Sequence, residues 1–112
     1  MPTPDPVEAL TGLWRAAGFD DASLPDVTFT GSEPVLPSSF AVGTVAQATI
    51  GAAALAAGAL WRQRIGRRQS VCVDMRHAAV EFRSERYLQI DGKAPEDHHD
   101  RIAGLYRCGD GR

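Results

Sequence analysis

Between Val7 and Ala17 the apolar residues fall three and four positions apart, at Val7, Leu10, Leu13, Trp14 and Ala17, which is the spacing of one helix face. Asp5 stands where a cap is needed, Pro6 suits a first helical turn, and Gly18 suits the end. The pattern predicts a short amphipathic helix, with Trp14 anchoring it to a core. From Phe19 to Phe40 the chain changes to Asp, Ser, Pro and Gly with single apolar residues between them. Pro34-Val35-Leu36-Pro37 resists both a helix and a central strand, so this stretch reads as a long ordered linker.

Ala41 to Trp61 carries no charge and holds eight alanines between Ala46 and Ala59, together with Gly51 and Gly58. Side chains this small all round predict a helix buried on most of its faces. A run of about 20 uncharged residues is also long enough to cross a bilayer, and Arg62, Arg64, Arg67 and Arg68 follow it. Thr44, Gln47 and Thr49 interrupt the run and large apolar residues are few, which favours the interior of a soluble protein. Gly66 suits a left-handed helix end. Ser70-Val71-Cys72-Val73-Asp74 then alternates as a strand does, and Met75 to Leu88 returns to helical spacing through Met75, Ala78, Ala79 and Phe82. Gly43 to Ala79 is therefore expected to form one scaffold unit of helix, turn, strand and helix. In the polar, turn-rich tail, Ile102 to Tyr106 reads as a strand leading into a turn at Gly109-Asp110-Gly111, and its hairpin looks incomplete.

Size and charge narrow the picture. A chain of 112 residues makes at most one domain, able to bury roughly two thirds of its unfolded surface. Net charge is -2, but residues 1 to 60 set six acids against Arg15 alone, while residues 61 to 112 set eight acids against eleven bases. Eleven of the twelve bases are Arg, which favours planar contacts with carboxylate or phosphate. Without interleaved aromatic and basic residues, nucleic acid is a poor partner. The first residues lack the basic and apolar regions of a secretory leader, so a cytoplasmic location is expected. Cys72 and Cys108 are too far apart for a short metal or redox motif, and Cys72, in an apolar strand pattern, reads as a buried thiol.

Three clusters could carry chemistry. Asp97-His98-His99-Asp100 offers metal-ligating side chains, but neighbours on an extended chain point opposite ways, and no metal site is expected. Asp74 and His77 could form an acid–base pair, or Asp74 could cap the helix that starts beside it; no nucleophile accompanies them. Arg62, Arg64, Arg67 and Arg68 could hold phosphate, yet they follow a helix C-terminus, where cations complement the dipole and phosphate is disfavoured.

The run Trp61-Arg62-Gln63-Arg64-Ile65-Gly66-Arg67-Arg68-Gln69-Ser70-Val71-Cys72-Val73-Asp74-Met75-Arg76-His77-Ala78-Ala79 resembles the internal signature of family III CoA-transferases, the CaiB/BaiF group. In that family an Ala/Leu-rich helix ends in an Arg and a Thr-Gly-Arg-Gly-Gln turn, followed by a strand and an Ala-containing helix. Tyr106-Arg107-Cys108-Gly109-Asp110-Gly111 resembles the family's Asp-Gly hairpin. The likeness spans Gly43 to Arg112, with Ile65 and Arg68 departing from the usual Thr and second Gly. It implies an α/β, helix-rich segment of a dimeric transferase that moves coenzyme A between an acyl thioester and a carboxylate. The family's nucleophile is an Asp at the start of the long helix; here Thr44 stands in its place and Glu33 lies eleven residues away. The family's N-terminal CoA-binding portion is expected to be missing, since residues 1–40 show no strand–glycine–helix start.

The expectation is therefore an N-terminal helix and linker over 1–40, and a partial CoA-transferase-like domain over 41–112. The resemblance assigns no catalytic residue, no CoA-binding residue and no covalently held cofactor. It leaves acyl-CoA as the candidate substrate, with a homo-oligomer or the remainder of a longer chain as partner and neither nucleic acid nor membrane. The isolated chain is expected to be inactive. The alternative is a noncatalytic interaction or scaffold module of a larger acyl-CoA-handling assembly.

Overall fold

The computed structural model describes residues 4–95 and 102–111. Its elements are α1 (Pro6–Ala16), β1 (Val27–Thr30), α2 (Val42–Ile65), β2 (Val71–Asp74) and α3 (Met75–Glu81), with short 3-10 helices at Asp21–Asp26 and Ser84–Arg86. The fold is mixed α/β. The β1 and β2 strands pair in parallel, Val27 opposite Val71 and Thr30 opposite Asp74, and α2 makes the crossover between them, as a parallel pair requires. The 27–30 and 71–74 segments, from either side of residue 40, thus share one sheet.

Asp5 caps α1 by accepting from the Val7 amide at 2.9 Å. Leu10 and Trp14 from α1 pack with Ala48 and Leu55 of α2, and Leu24, Val27 and Phe29 close around them. The Trp14 indole donates to the Asp20 carbonyl at 2.7 Å and stacks on Phe19. On the other side of α2, Ala46 meets Val73 and Ala78, with Phe29, Ile50 and Val71 at the margin. The α2 helix is thereby held between α1 and α3 and laid on one face of the sheet. Its alanines and glycines let these neighbours approach: a Cβ on Gly51 would sit 2.8 Å from the Phe29 ring and 3.0 Å from Leu10.

Several expectations need correction. Phe19 to Phe40 is not only linker, because Val27-Thr28-Phe29-Thr30 forms β1 there. The alternation is plain, but four residues between Pro25-Asp26 and Gly31 become a strand only through pairing with β2, some forty residues away. β1 runs into Gly31, at φ 89°, but the next helix, α2, begins only at Val42, so residues 1–40 contain a strand and a glycine without a helix directly after them. Only seven of the 24 residues of α2 are buried, all between Gly43 and Leu55, so the helix is not buried on most faces. It is long and apolar enough to cross a membrane by length and composition, yet its N-terminal half is packed inside this fold.

The predicted helix from Met75 to Leu88 stops at Glu81. Phe82, Tyr87 and Leu88 are exposed, so no packing sustains it further. Cys72 is exposed and free, because strand alternation turns Val71 and Val73 towards α2 and sends Cys72 to the opposite face. Ile102 to Tyr106 forms no strand; the turn after it is present, with the Gly111 amide donating to the Cys108 carbonyl at 2.9 Å. The predicted left-handed end of α2 is there, Gly66 having φ 78° and its amide donating to the Arg62 carbonyl.

Candidate functional site

In open α/β sheets, ligands bind outside the carboxyl ends of the strands, where helix N-termini converge. Here that edge is made by Thr30 and Asp74, the 31–41 loop, and the starts of α2 and α3. The α2 helix begins at Ala41-Val42 with no side-chain cap of its own, which leaves its first amides in need of an acceptor. Glu33 supplies it from a distance: Oε1 accepts from the Thr44 amide at 2.7 Å and Oε2 from the Val35 amide at 3.0 Å. Partial burial pushes the Glu33 carboxyl up, but the bonds from the Thr44, Val35 and Gly43 amides together outweigh it, holding the group below the usual glutamate range.

The loop is closed as well as capped. A Cβ on Gly43 would come within 2.7 Å of Met75 Sδ and of Val35 Cγ1, so these side chains fill the space above the helix start. Thr44 is 3 % exposed; its hydroxyl donates to the Pro4 carbonyl at 3.2 Å and its amide is taken by Glu33. The start of α2 at Gly43 is thus covered by Val35 and Met75 of this chain.

Below it, Gln47 ties the strand ends together. Fully buried, it donates through Nε2 to the Thr30 carbonyl at 2.8 Å and the Val73 carbonyl at 2.7 Å. Its Oε1 has no hydrogen-bond partner among the described residues. Asp74 accepts from the Arg76 and His77 amides at 3.0 and 3.2 Å and from the Thr30 hydroxyl at 3.0 Å. Those bonds, the His77 amide first, hold its carboxyl below the usual aspartate range. Asp74 therefore serves as the cap of α3, and His77 contributes its backbone to that cap; its side chain is exposed.

The basic turn is divided. Arg68 pairs with Asp26 through two bonds, at 2.8 and 3.1 Å, and donates to the Ala22 carbonyl, pinning the turn to the 3-10 helix. Arg62, Arg64 and Arg67 are exposed and have no ion-pair partner among the described residues. Asp97, His98, His99 and Asp100 lie outside the described residues; among the described ones no His, Cys, Asp or Glu cluster could hold a metal.

Glu33 and Gln47 escape a reading of the sequence as partners of this edge. The signal for Glu33 is indirect: a helix start without Ser, Thr, Asp or Asn at its cap needs an acceptor from elsewhere, and Glu33 is the acid nearest before it. Gln47 stands out as a lone amide in an uncharged alanine run, where a buried polar group needs partners. Comparison with protein-family models, curated proteins and solved structures finds no match. The chemistry of this edge rests on its own geometry.

Proposed function

We propose that this chain is a family III CoA-transferase-like segment that serves as noncatalytic scaffold in acyl-CoA handling. The observation that carries the noncatalytic half is the state of the α2 start. Covalent acyl transfer needs an accessible nucleophile that can be activated. Thr44 is buried with its hydroxyl and amide both engaged. The nearby carboxylate, Glu33, has both oxygens engaged by backbone amides and is held ionised, as a structural cap is.

What supports the family half is the order α2, Gly66 turn, β2, α3, which follows the quoted resemblance. The exposed free thiols of Cys72 and Cys108 suit a reducing, cytoplasmic setting. The interaction-module reading is favoured by one further feature: Phe40, Val45, Leu60, Trp61, Phe82 and Leu88 are exposed large apolar side chains.

The test incubates the purified chain with a panel of acyl-CoA thioesters and free carboxylates, and follows intact mass and CoA exchange. The expected result is neither adduct nor exchange. An acyl adduct on Glu33 or Thr44 would overturn the noncatalytic reading. The CoA affiliation is tested separately by equilibrium binding of coenzyme A to the chain and to its oligomers, and complete absence of binding would remove its support.

A further inference from the structure

We infer that the C-terminal end of α2 is a docking surface for an anionic lipid bilayer. The inference is independent of the CoA reading. It departs from the expectation of no membrane partner in one respect only. Packing of the N-terminal half of α2 opposes a crossing, while the other end remains able to lie on a surface.

Leu60, Trp61 and Ile65 are 48 %, 45 % and 53 % exposed. At about 100° per residue, Ile65 and Arg64 flank Trp61 on either side of one face, with Leu60 and Arg62 at its edges. Arg67 follows directly after the Gly66 turn. From Ala41 to Val73 there is no acidic residue, and among the described residues the acid paired at this turn, Asp26, is committed to Arg68. Three cations without an ion-pair partner among the described residues thus surround an exposed tryptophan and two aliphatic side chains.

That combination matches the bilayer interface chemically. Indole sits at the headgroup level, Arg stems lie along apolar surface with the charged heads in the polar layer, and an anionic leaflet attracts the cations. A nucleic acid would use the cations but leave Leu60 and Ile65 in water. The wide, open groove that Trp61 shares with Ala54, Ala57 and Val71 lacks the enclosed form of a small-ligand site.

The two tryptophans give the experiment its readout, since Trp14 is 3 % exposed and Trp61 is open. The full chain is mixed with vesicles of phosphatidylcholine alone, and with vesicles of phosphatidylcholine and phosphatidylglycerol carrying brominated acyl chains. Binding is measured by co-sedimentation and by tryptophan quenching. The expected result is binding to the anionic vesicles on the order of 10–100-fold tighter than to the neutral ones, weakened by salt, with Trp61 quenched and Trp14 unaffected. The triple variant Arg62→Gln, Arg64→Gln, Arg67→Gln should lose that preference, and Trp61→Ala should weaken binding. Leu105→Ser should leave it unchanged, because Leu105 is more open still but lies outside the α2 face that carries Trp61 and the three cations. Circular dichroism of each variant in the absence of lipid checks that the fold persists.

Equal binding to neutral and anionic vesicles would overturn the proposal, as would anionic binding retained by the triple variant. Quenching of Trp14 would show α2 leaving the fold and entering the bilayer, which also overturns it. So would failure to bind vesicles when the same chain binds a polyanion such as heparin.

Discussion

The two halves of α2 are similar in alanine content and meet opposite fates. From Gly43 to Leu55 the helix is gripped on three sides by α1, the sheet and α3, and Thr44 and Gln47 tie it to the Pro4, Thr30 and Val73 carbonyls. From Ala56 onward no residue is buried, and Leu60, Trp61 and Ile65 face outwards. Alanine content does not separate the halves. What separates them is whether glycines and polar side chains are placed to receive particular neighbours, and that makes the difference open to single substitutions.

The largest effect is expected at Gln47. Gln47→Leu keeps the approximate volume but strips the Thr30 and Val73 carbonyls of their shared donor, and a buried acceptor left unsatisfied costs about 1–3 kcal/mol. With two carbonyls affected and the unpartnered Oε1 removed, the expected loss is about 2–4 kcal/mol, read from chemical denaturation. A loss under about 0.5 kcal/mol, within the range of an inconsequential surface change, would mean that the clamp does not hold the strand ends.

Next comes Gly51→Ala. Helix propensity alone would make it stabilising by about 1 kcal/mol, but the new methyl group meets Phe29 and Leu10 at 2.8 and 3.0 Å. Overpacking a filled core costs about 1–3 kcal/mol, so the sign should reverse and the thermal midpoint should fall. A rise would show that the gripped half has slack.

Much of this contrast was present in the sequence and part was not. Helix periodicity, the Asp5 and Asp74 caps, the Gly66 terminus and the strand at Val71 to Asp74 all arise from residues within a few positions of one another, and they appear where local pattern puts them. Features that depend on distant partners were hidden. Among them are β1, whose pairing partner lies beyond the whole of α2, the 33–44 cap, and the exposed side of Cys72. The site was less legible than the fold: Thr44 stood out only through a family resemblance, and its burial and the covering of the neighbouring Gly43 by Val35 and Met75 depend on tertiary packing alone.

Glu33→Gln tests the cap that closes the gripped half. Loss of a negative charge at a helix start is expected to cost about 0.5–1 kcal/mol at neutral pH. The Glu33 carboxyl titrates lower in the fold than in the unfolded chain, so the unfolded state binds the proton more readily. Its stabilisation is complete above the ordinary glutamate range and is lost as pH falls through the folded value. Denaturation curves collected downwards from neutral pH should show the wild-type chain converging on the variant in acid. Asp74 shifts in the same direction and is common to both proteins, so it cancels from their difference. A gap independent of pH would assign the cost of the substitution to geometry instead of charge.

Gly58→Ala carries the comparison into the open half and should have the smallest effect, with the opposite sign to Gly51→Ala. A Cβ at Gly58 meets nothing closer than Gln69 Cβ at 3.9 Å, an ordinary contact. The substitution narrows the unfolded ensemble and removes a poor helix former, which together stabilise by about 0.4–1 kcal/mol. For a domain of this size that is a rise of a few degrees in thermal midpoint. The same exchange of hydrogen for methyl, two helical turns apart, should thus destabilise at one site and stabilise at the other. If Gly58→Ala destabilises instead, the C-terminal half of α2 is covered in solution, and the uncovered Trp61 face on which the bilayer contact depends is closed by a partner that the single chain does not contain.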